Sequence, residues 1–148
     1  MNIVKCTEAY LESLVDVFEE YRQFCGFERS QSETKAFLKK LICNEESIIF
    51  IAVDSETDSV MGFVNLYPSY SSLALQRLWI LNDLGVSSRF RGKRVSKVLI
   101  QKAQEFAKET NAIRIELKTE LKNTTARNLY KSLDFTVDSD NVYYRVPC

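Results

Sequence analysis

The sequence predicts an α/β fold with a sheet of mixed strand direction, in the element order β-α-α-β-β-β-α-β-α-β-β. Two stretches of helical spacing are followed by a pair of apolar runs separated by a polar turn, which reads as a hairpin. The second half alternates strand and helix patterns, so parallel strand pairs are expected there. A chain of 148 residues that is 45% apolar can bury one core and leaves little room for a second. Residues 1–148 therefore read as a single domain.

Residues 2–6 (NIVKC) form a first short strand. Thr7 can then cap a helix whose Leu11, Leu14, Val15 and Phe18 share one face. Ser30-x-x-Glu33 has the form of a capping box and precedes Phe37, Leu38, Leu41 and Ile42. Ser47–Val53 (SIIFIAV) and Val60–Tyr67 (VMGFVNLY) flank the polar turn Asp54–Ser59. Neither strand alternates cleanly, which predicts burial on both faces. Pro68–Ser72 reads as a loop, and Leu73–Val86 as a long strand containing Trp79, Ile80, Leu81 and Leu84. A helix starts near Arg94, with Val95, Val98, Leu99, Ala103, Phe106 and Ala107 on one stripe. Ala112–Leu117 alternates and reads as a strand, and Asn123–Leu133 as a helix. Phe135–Val137 and Val142–Val146 are the last expected strands.

Composition removes several chemistries. With no histidine, Ser-His and Cys-His nucleophile pairs and His-based zinc sites cannot be built. Proton transfer must use carboxylates, tyrosine, lysine, cysteine or water. The four glycines, at 26, 62, 85 and 92, cannot supply a multi-glycine phosphate loop. Cys6, Cys25, Cys43 and Cys148 are widely spaced and make neither a metal motif nor a disulfide framework, so no metal is expected. The N-terminus lacks a signal-peptide pattern, and the apolar runs fall far short of a membrane span. A reduced, cytoplasmic protein is the expectation.

Twenty basic residues balance twenty acidic ones, which argues against nucleic acid or a membrane surface as partner. Locally the balance breaks. From Ser87 to Lys108 seven bases (Arg89, Arg91, Lys93, Arg94, Lys97, Lys102 and Lys108) face one acid, Glu105. Residues 1–34 hold three bases and seven acids. Four of the seven bases fall in Arg89–Arg94, at the strand-to-helix junction. A helix start exposes N–H groups and a positive dipole end, so added arginines favour a phosphate or pyrophosphate; a solvated basic turn is the plainer alternative.

Leu81-Asn-Asp-Leu-Gly-Val86 followed by Arg91-Gly-Lys-Arg-Val-Ser96 resembles the acetyl-CoA motif of the GCN5-related N-acetyltransferases. Asn123-x-x-Ala126-x-x-Leu129-Tyr130, then Leu133-Asp-Phe135, is similar to a later motif of that family. LYPSYSS before RLWILNDLGV is similar to its histone- and polyamine-acetyltransferase-like branch. The element order matches that fold over nearly the whole chain. The resemblance implies a centrally splayed sheet with helices on both faces, the acyl-CoA N-acyltransferase fold. It also implies acetyl-CoA as cosubstrate and direct attack by a primary amine of a small molecule or a protein lysine.

By the same resemblance, Leu84, Gly85 and Val86 pair their backbone with the pantetheine arm. Arg91, Gly92, Lys93, Arg94, Val95 and Ser96 hold the pyrophosphate, and Asn123 contacts the arm or phosphates. Tyr130 is the general acid toward the departing thiolate; its plainer role is packing beside Leu133. The family pattern Q/R-x-x-G-x-G/A is broken twice. Arg94 stands at the central glycine and Ser96 at the last small position. The family's later Gly-Phe is Asp134-Phe135 here, and Asp tolerates a left-handed turn.

No single general base emerges. Family members that carry a fourth-strand glutamate have it where Asn82 stands. Asp83 is adjacent and by strict alternation points to the opposite face, where orienting the strand is an equal role. Glu116 and water alone remain open. The acceptor is expected against the first two helices and the 68–72 loop. There Glu12, Asp16, Glu19, Glu20, Glu28 and Glu33 suit a cationic amine or form a solvated acidic face. A homodimer follows from family habit. The alternative to an enzyme is a CoA-binding or protein-binding module that keeps the fold without turnover, with Arg94 as its support.

Overall fold

The computed structural model describes residues 1–148, which resolve into two units, Met1–Lys118 and Thr119–Cys148. In the first unit the apolar runs form the middle of a five-stranded sheet. Its strands are β1 (Asn2–Lys5), β2 (Ile48–Val53), β3 (Val60–Ser71), β4 (Gln76–Val86) and β5 (Ile115–Glu116), side by side in that order. The first three pairings are antiparallel and β4–β5 is parallel, as a strand–helix–strand crossover requires.

Three helices complete this unit: α1 (Leu11–Phe24), α2 (Gln31–Cys43) and α3 (Val95–Glu109). The apolar stripes read from the sequence are the buried ones. Leu11, Leu14, Val15 and Phe18 of α1 are buried, as are Val95, Leu99, Ala103 and Ala107 of α3. Strand alternation divides the helices between the two faces. Ile49, Ile51, Val53 and Phe63 join the core of α1 and α2. Phe50, pointing the other way from β2, meets Phe106 of α3 with ring centroids 5.3 Å apart. Trp79 of β4 packs on Phe106 and donates its indole N–H to Thr110 Oγ1 at 2.8 Å. Burial of each large aliphatic here contributes about 1.5–3 kcal/mol.

β2 and the first half of β3 are buried on both faces, as their lack of alternation predicted. Elsewhere the expectations need correction. Pro68–Ser72 is not a loop, because β3 runs through Pro68 to Ser71 and pairs with β4 down to Gln76. The β2 ladder ends at Leu66, so β3 is an edge strand beyond it, where a missing N–H is tolerated. The strand expected from Leu73 starts at Gln76, after a turn with Leu75 at φ 56°. Ala112–Leu117 shrinks to Ile115–Glu116.

Helix starts differ in detail as well. Thr7 precedes a short 3-10 helix, Glu8–Tyr10, and not α1 itself. Ser30 caps α2 without a side-chain bond, and its N–H donates to Glu19 Oε2 at 2.8 Å instead of to Glu33. The capping box therefore does not form. In the second unit, α4 (Thr124–Ser132) appears where expected, and Asp134 has φ 70°, the left-handed turn foreseen for it. Phe135–Val137 and Val142–Val146 are irregular, with Val137, Val142, Tyr144 and Val146 exposed. Their alternation is a local signal, and a strand also needs a neighbour's N–H and C=O groups.

Candidate active site

The sheet opens along β4. β3 follows β4 from Gln76 to Val86, whereas β5 pairs only with Trp79 and Ile80. Past that point Leu81–Val86 continues with its β5-side edge beyond the ladder, the splay that the resemblance implies. Leu84, Gly85 and Val86 lie at the end of this edge. Gly85 permits a close approach: a Cβ there would sit 2.7 Å from Phe63 Cε1 and 3.1 Å from Tyr21 Cβ. Phe63 cannot readily yield, since it is fully buried between the rings of Phe18 and Tyr21, at 4.9 and 5.6 Å.

Beyond Val86 the chain makes a 3-10 helix, Ser88–Phe90, and then an exposed loop from Arg91 to Arg94 that leads into α3. Gly92 has φ 77° and Arg94 φ 60°, ψ 20°. The left-handed turn that favours glycine is thus kept at Arg94, at a cost of about 1–2 kcal/mol for a residue with a Cβ. The substitution changes the side chain and leaves the backbone course of a glycine in place. Val95 is buried and anchors the helix start, while Ser96 is half-buried in the first turn. Arg89 and Lys93 flank the Phe90 ring, each 5.4 Å from its centroid. Amides of the first helical turn have no partner within their own helix, so this loop combines N–H donors with guanidinium and ammonium groups.

On the α1 side of β4 lies a polar cluster. Tyr21 Oη donates to Asp83 Oδ1 at 2.9 Å, and Asn65 Nδ2 donates to Asp83 Oδ2 at 2.8 Å. Asn82 Nδ2 also reaches Asp83 Oδ2, at 3.1 Å. That contact overturns the expectation that the two side chains take opposite faces. The register shifts from Asn65↔Asp83 to Leu66↔Leu81, so Asn82 is the extra residue of a β-bulge and alternation fails there. Burial raises the Tyr21 phenol above its ordinary range, and the neighbouring Asp83 charge raises it further, so Tyr21 stays a donor. Tyr67 is raised by burial and by Asp83, with the Asn65 amide working the other way.

A cavity of about 350 Å³ opens beside this cluster. Phe18, Phe27 and Phe37 give it apolar walls, and Tyr21, Glu33 and Asp83 bring polar groups. Glu19, grouped with the acidic residues of a solvated face, is instead fully buried. It accepts from Ser30 N, from the Thr34 hydroxyl and from Arg22 Nη1 at 3.1 Å. Burial alone would raise the Glu19 carboxyl; the Thr34, Ser30 and Arg22 donors outweigh it and hold it below its usual value. Glu12 pairs with Lys35, and Glu116 pairs with Arg114 at 3.1 Å.

In the second unit, Asn123 caps α4, its Oδ1 accepting from Ala126 N at 3.2 Å. Tyr130 stands edge-on to Phe135, with centroids 5.7 Å apart, and burial raises its phenol. Leu84–Val86 and Arg91–Ser96 lie close in the chain, separated by Ser87 and the 3-10 helix Ser88–Phe90, with Asp83 just before the first segment. Tyr21 and Asn65 were missed in the sequence. Asn65 had a signal, a lone amide inside VMGFVNLY; Tyr21 continues the apolar stripe of α1 and had none.

The open-edged mixed sheet followed by a basic loop and helix has the architecture that the resemblance to acyl-transferring proteins implies, and the comparisons make the class specific. The model of the Acetyltransferase (GNAT) family matches residues 11–135. The chain belongs to the GNAT family and is an N-acetyltransferase. It is 34% identical over 144 residues to the uncharacterized N-acetyltransferase YhfO of Bacillus subtilis (strain 168), covering 97% of this chain and 95% of that one. It is 37% identical over 115 residues to a probable acetyltransferase of Haemophilus influenzae, covering 78% of each. A crystal structure of a probable acetyltransferase superposes with a TM-score of 0.95 at 38% identity, covering 100% of this chain and 98% of that one. No helix is long and apolar enough to cross a membrane.

Proposed function

We propose that residues 1–148 act as one catalytic domain that moves an acetyl group from acetyl-CoA to a primary amine by direct attack in a ternary complex. The observation that carries this reading is the open edge Leu81–Val86, joined by one short 3-10 helix to the basic loop before α3. An extended arm with amide groups suits the backbone of Leu84, Gly85 and Val86 as a further strand would. Arg91, Gly92, Lys93, Arg94, Val95 and Ser96 suit a pyrophosphate, since left-handed turns at Gly92 and Arg94 accompany the helix start. Asn123 is assigned to the same cosubstrate on its motif. The donor supplies an activated thioester, and the residues of this chain orient it and manage the protons.

An alkyl ammonium has a pKa near ~10 and must lose a proton before it attacks. Asp83 takes that proton, directly or through water, and Tyr21, Asn65 and Asn82 hold its carboxylate in place. Tyr130 donates its O–H toward the sulfur as negative charge builds there. Its raised pKa keeps it protonated, so it acts by hydrogen bonding more than by complete transfer to a thiolate near ~8.5. The acceptor is a cationic amine with an apolar body. Glu33 and Asp83 face the cavity, and its one guanidinium, Arg22, is already ion-paired with Glu19. A cytoplasmic location and a homodimer are the expected setting and assembly.

A panel of primary amines, assayed for thiol release from acetyl-CoA, tests the reading. Turnover is expected, and Tyr130→Phe should lower kcat by about a hundredfold while cosubstrate affinity is kept. An unchanged rate in that variant removes Tyr130 from the mechanism. Absence of thiol release with every amine contradicts the amine-acceptor assignment.

A further inference from the structure

Glu20 lies on α1 next to Tyr21, yet it reaches neither the acceptor cavity nor solvent alone. Ser87, 67 residues away and buried at the end of β4, donates its hydroxyl to Glu20 Oε1 at 3.0 Å. The Ser88 N–H donates to Glu20 Oε2 at 2.9 Å. Ser87 is the cap residue of the 3-10 helix Ser88–Phe90 but makes no side-chain cap bond of its own. Glu20 takes over that duty from another element, satisfying the first amide of the short helix.

The position of this staple gives it meaning. The Ser87 N–H is already held by Met61 O at 2.9 Å, and Phe90 N–H returns to Ser87 O at 2.9 Å. Ser87 is therefore fixed through its backbone to β3 and through its side chain to α1. Eight residues later the chain is fixed again by the buried Val95. Between these anchors runs the exposed basic loop, with its left-handed turns at Gly92 and Arg94.

A carboxylate here is not what an anion site wants on charge alone. Burial would raise the Glu20 carboxyl, but the Ser88 and Ser87 bonds and the Arg91 charge outweigh it and keep it ionised. By Coulomb's law such a charge repels a bound pyrophosphate. A purely electrostatic role and a geometric one therefore predict opposite signs when the charge is removed.

We propose that Glu20 is a positioning residue for the pyrophosphate loop, holding its entry at Ser87–Ser88 so that the amides and bases from Arg91 to Ser96 converge on the cosubstrate. This rests on the acetyl-CoA reading above. Glu20 touches neither substrate nor reacting atoms; it acts through the turn that it caps.

The test combines calorimetric titration with CoA and amide hydrogen exchange on the ligand-free protein, for wild type, Glu20→Gln and Glu20→Ala. Glu20→Ala should weaken CoA binding about tenfold, the loss expected for a charge-assisted hydrogen bond. Glu20→Gln keeps one acceptor oxygen and should weaken it less. The Ser88 amide should exchange faster in Glu20→Ala without any ligand, and the amine KM at saturating acetyl-CoA should stay unchanged. Equal or tighter CoA binding in both variants overturns the positioning role, and so does unchanged protection at Ser88. Failure of the wild type to bind CoA would instead count against the acetyl-CoA reading, and the exchange result would still decide whether Glu20 holds the turn.

Discussion

The two faces of β4 are built on different principles. On the proposed cosubstrate side, the edge Leu81–Val86 lies beyond the β5 ladder and the loop Arg91–Arg94 exposes long cationic side chains. On the proposed acceptor side, Tyr21, Asn65, Asn82 and Asp83 form a hydrogen-bonded network beside a cavity with phenylalanine walls. In the proposed reading, backbone amides recognise the part common to every reaction, the cosubstrate. A side-chain network can change residue by residue, which is how one fold serves different acceptors. The motif resemblance covers the loop and reaches Asn82 and Asp83, whereas Tyr21 and Asn65 lie outside it.

The largest effect should come from Asp83→Asn, which separates the two sides most sharply. It removes the proposed proton acceptor, while the amide oxygen can still accept from Asn65 and Asn82 and the NH₂ can turn to the Tyr21 hydroxyl. Amine turnover should fall about a hundredfold or more, with the acetyl-CoA KM unchanged. A small loss of turnover in steady-state assays, or a parallel rise in both KM values, would move the base elsewhere, to Glu116 or to water.

Gly85→Ala breaks the comparison at its hinge, because this residue lies at the end of the open edge and under α1. An added methyl must displace the Phe63 ring or the Tyr21 side chain. Overpacking of this kind costs about 1–3 kcal/mol and should appear as a lower urea midpoint. An unchanged midpoint would mean that α1 is free to shift.

The smallest effect concerns Arg94. Arg94→Gly relieves a left-handed residue and should raise stability by about 1 kcal/mol, read from the same midpoint. One positive charge is lost, so CoA binding should weaken modestly and more at low salt. A destabilised Arg94→Gly variant would show that the side chain supports the loop in a way its backbone angles do not reveal.

Much of the fold was legible in the sequence. The stripes of α1 and α3 and the apolar runs of β2 and β3 are local periodicities that survive in the structure. The failures share a cause, dependence on a neighbour. Pro68 signals a break, yet β3 tolerates it because β2 has already ended. The bulge at Asn82 is a relation between two strands and reverses an alternation argument made on one. Ser30-x-x-Glu33 has the form of a capping box, but Glu19 takes the Ser30 N–H first. For the site, the loop was legible through its bases and motif. The bonds Tyr21–Asp83 and Glu20–Ser87 link residues 62 and 67 positions apart, a separation that periodicity does not reach.

The claim on which everything else depends is that the β4 edge and the Arg91–Ser96 loop bind acetyl-CoA. Calorimetric titration of the wild-type protein with acetyl-CoA tests it most directly. Saturable binding at micromolar to sub-millimolar concentration, weakening as salt is raised, is expected from a loop of exposed bases. Absence of binding up to several millimolar at low salt, on the order of the weakest useful KM, would contradict it.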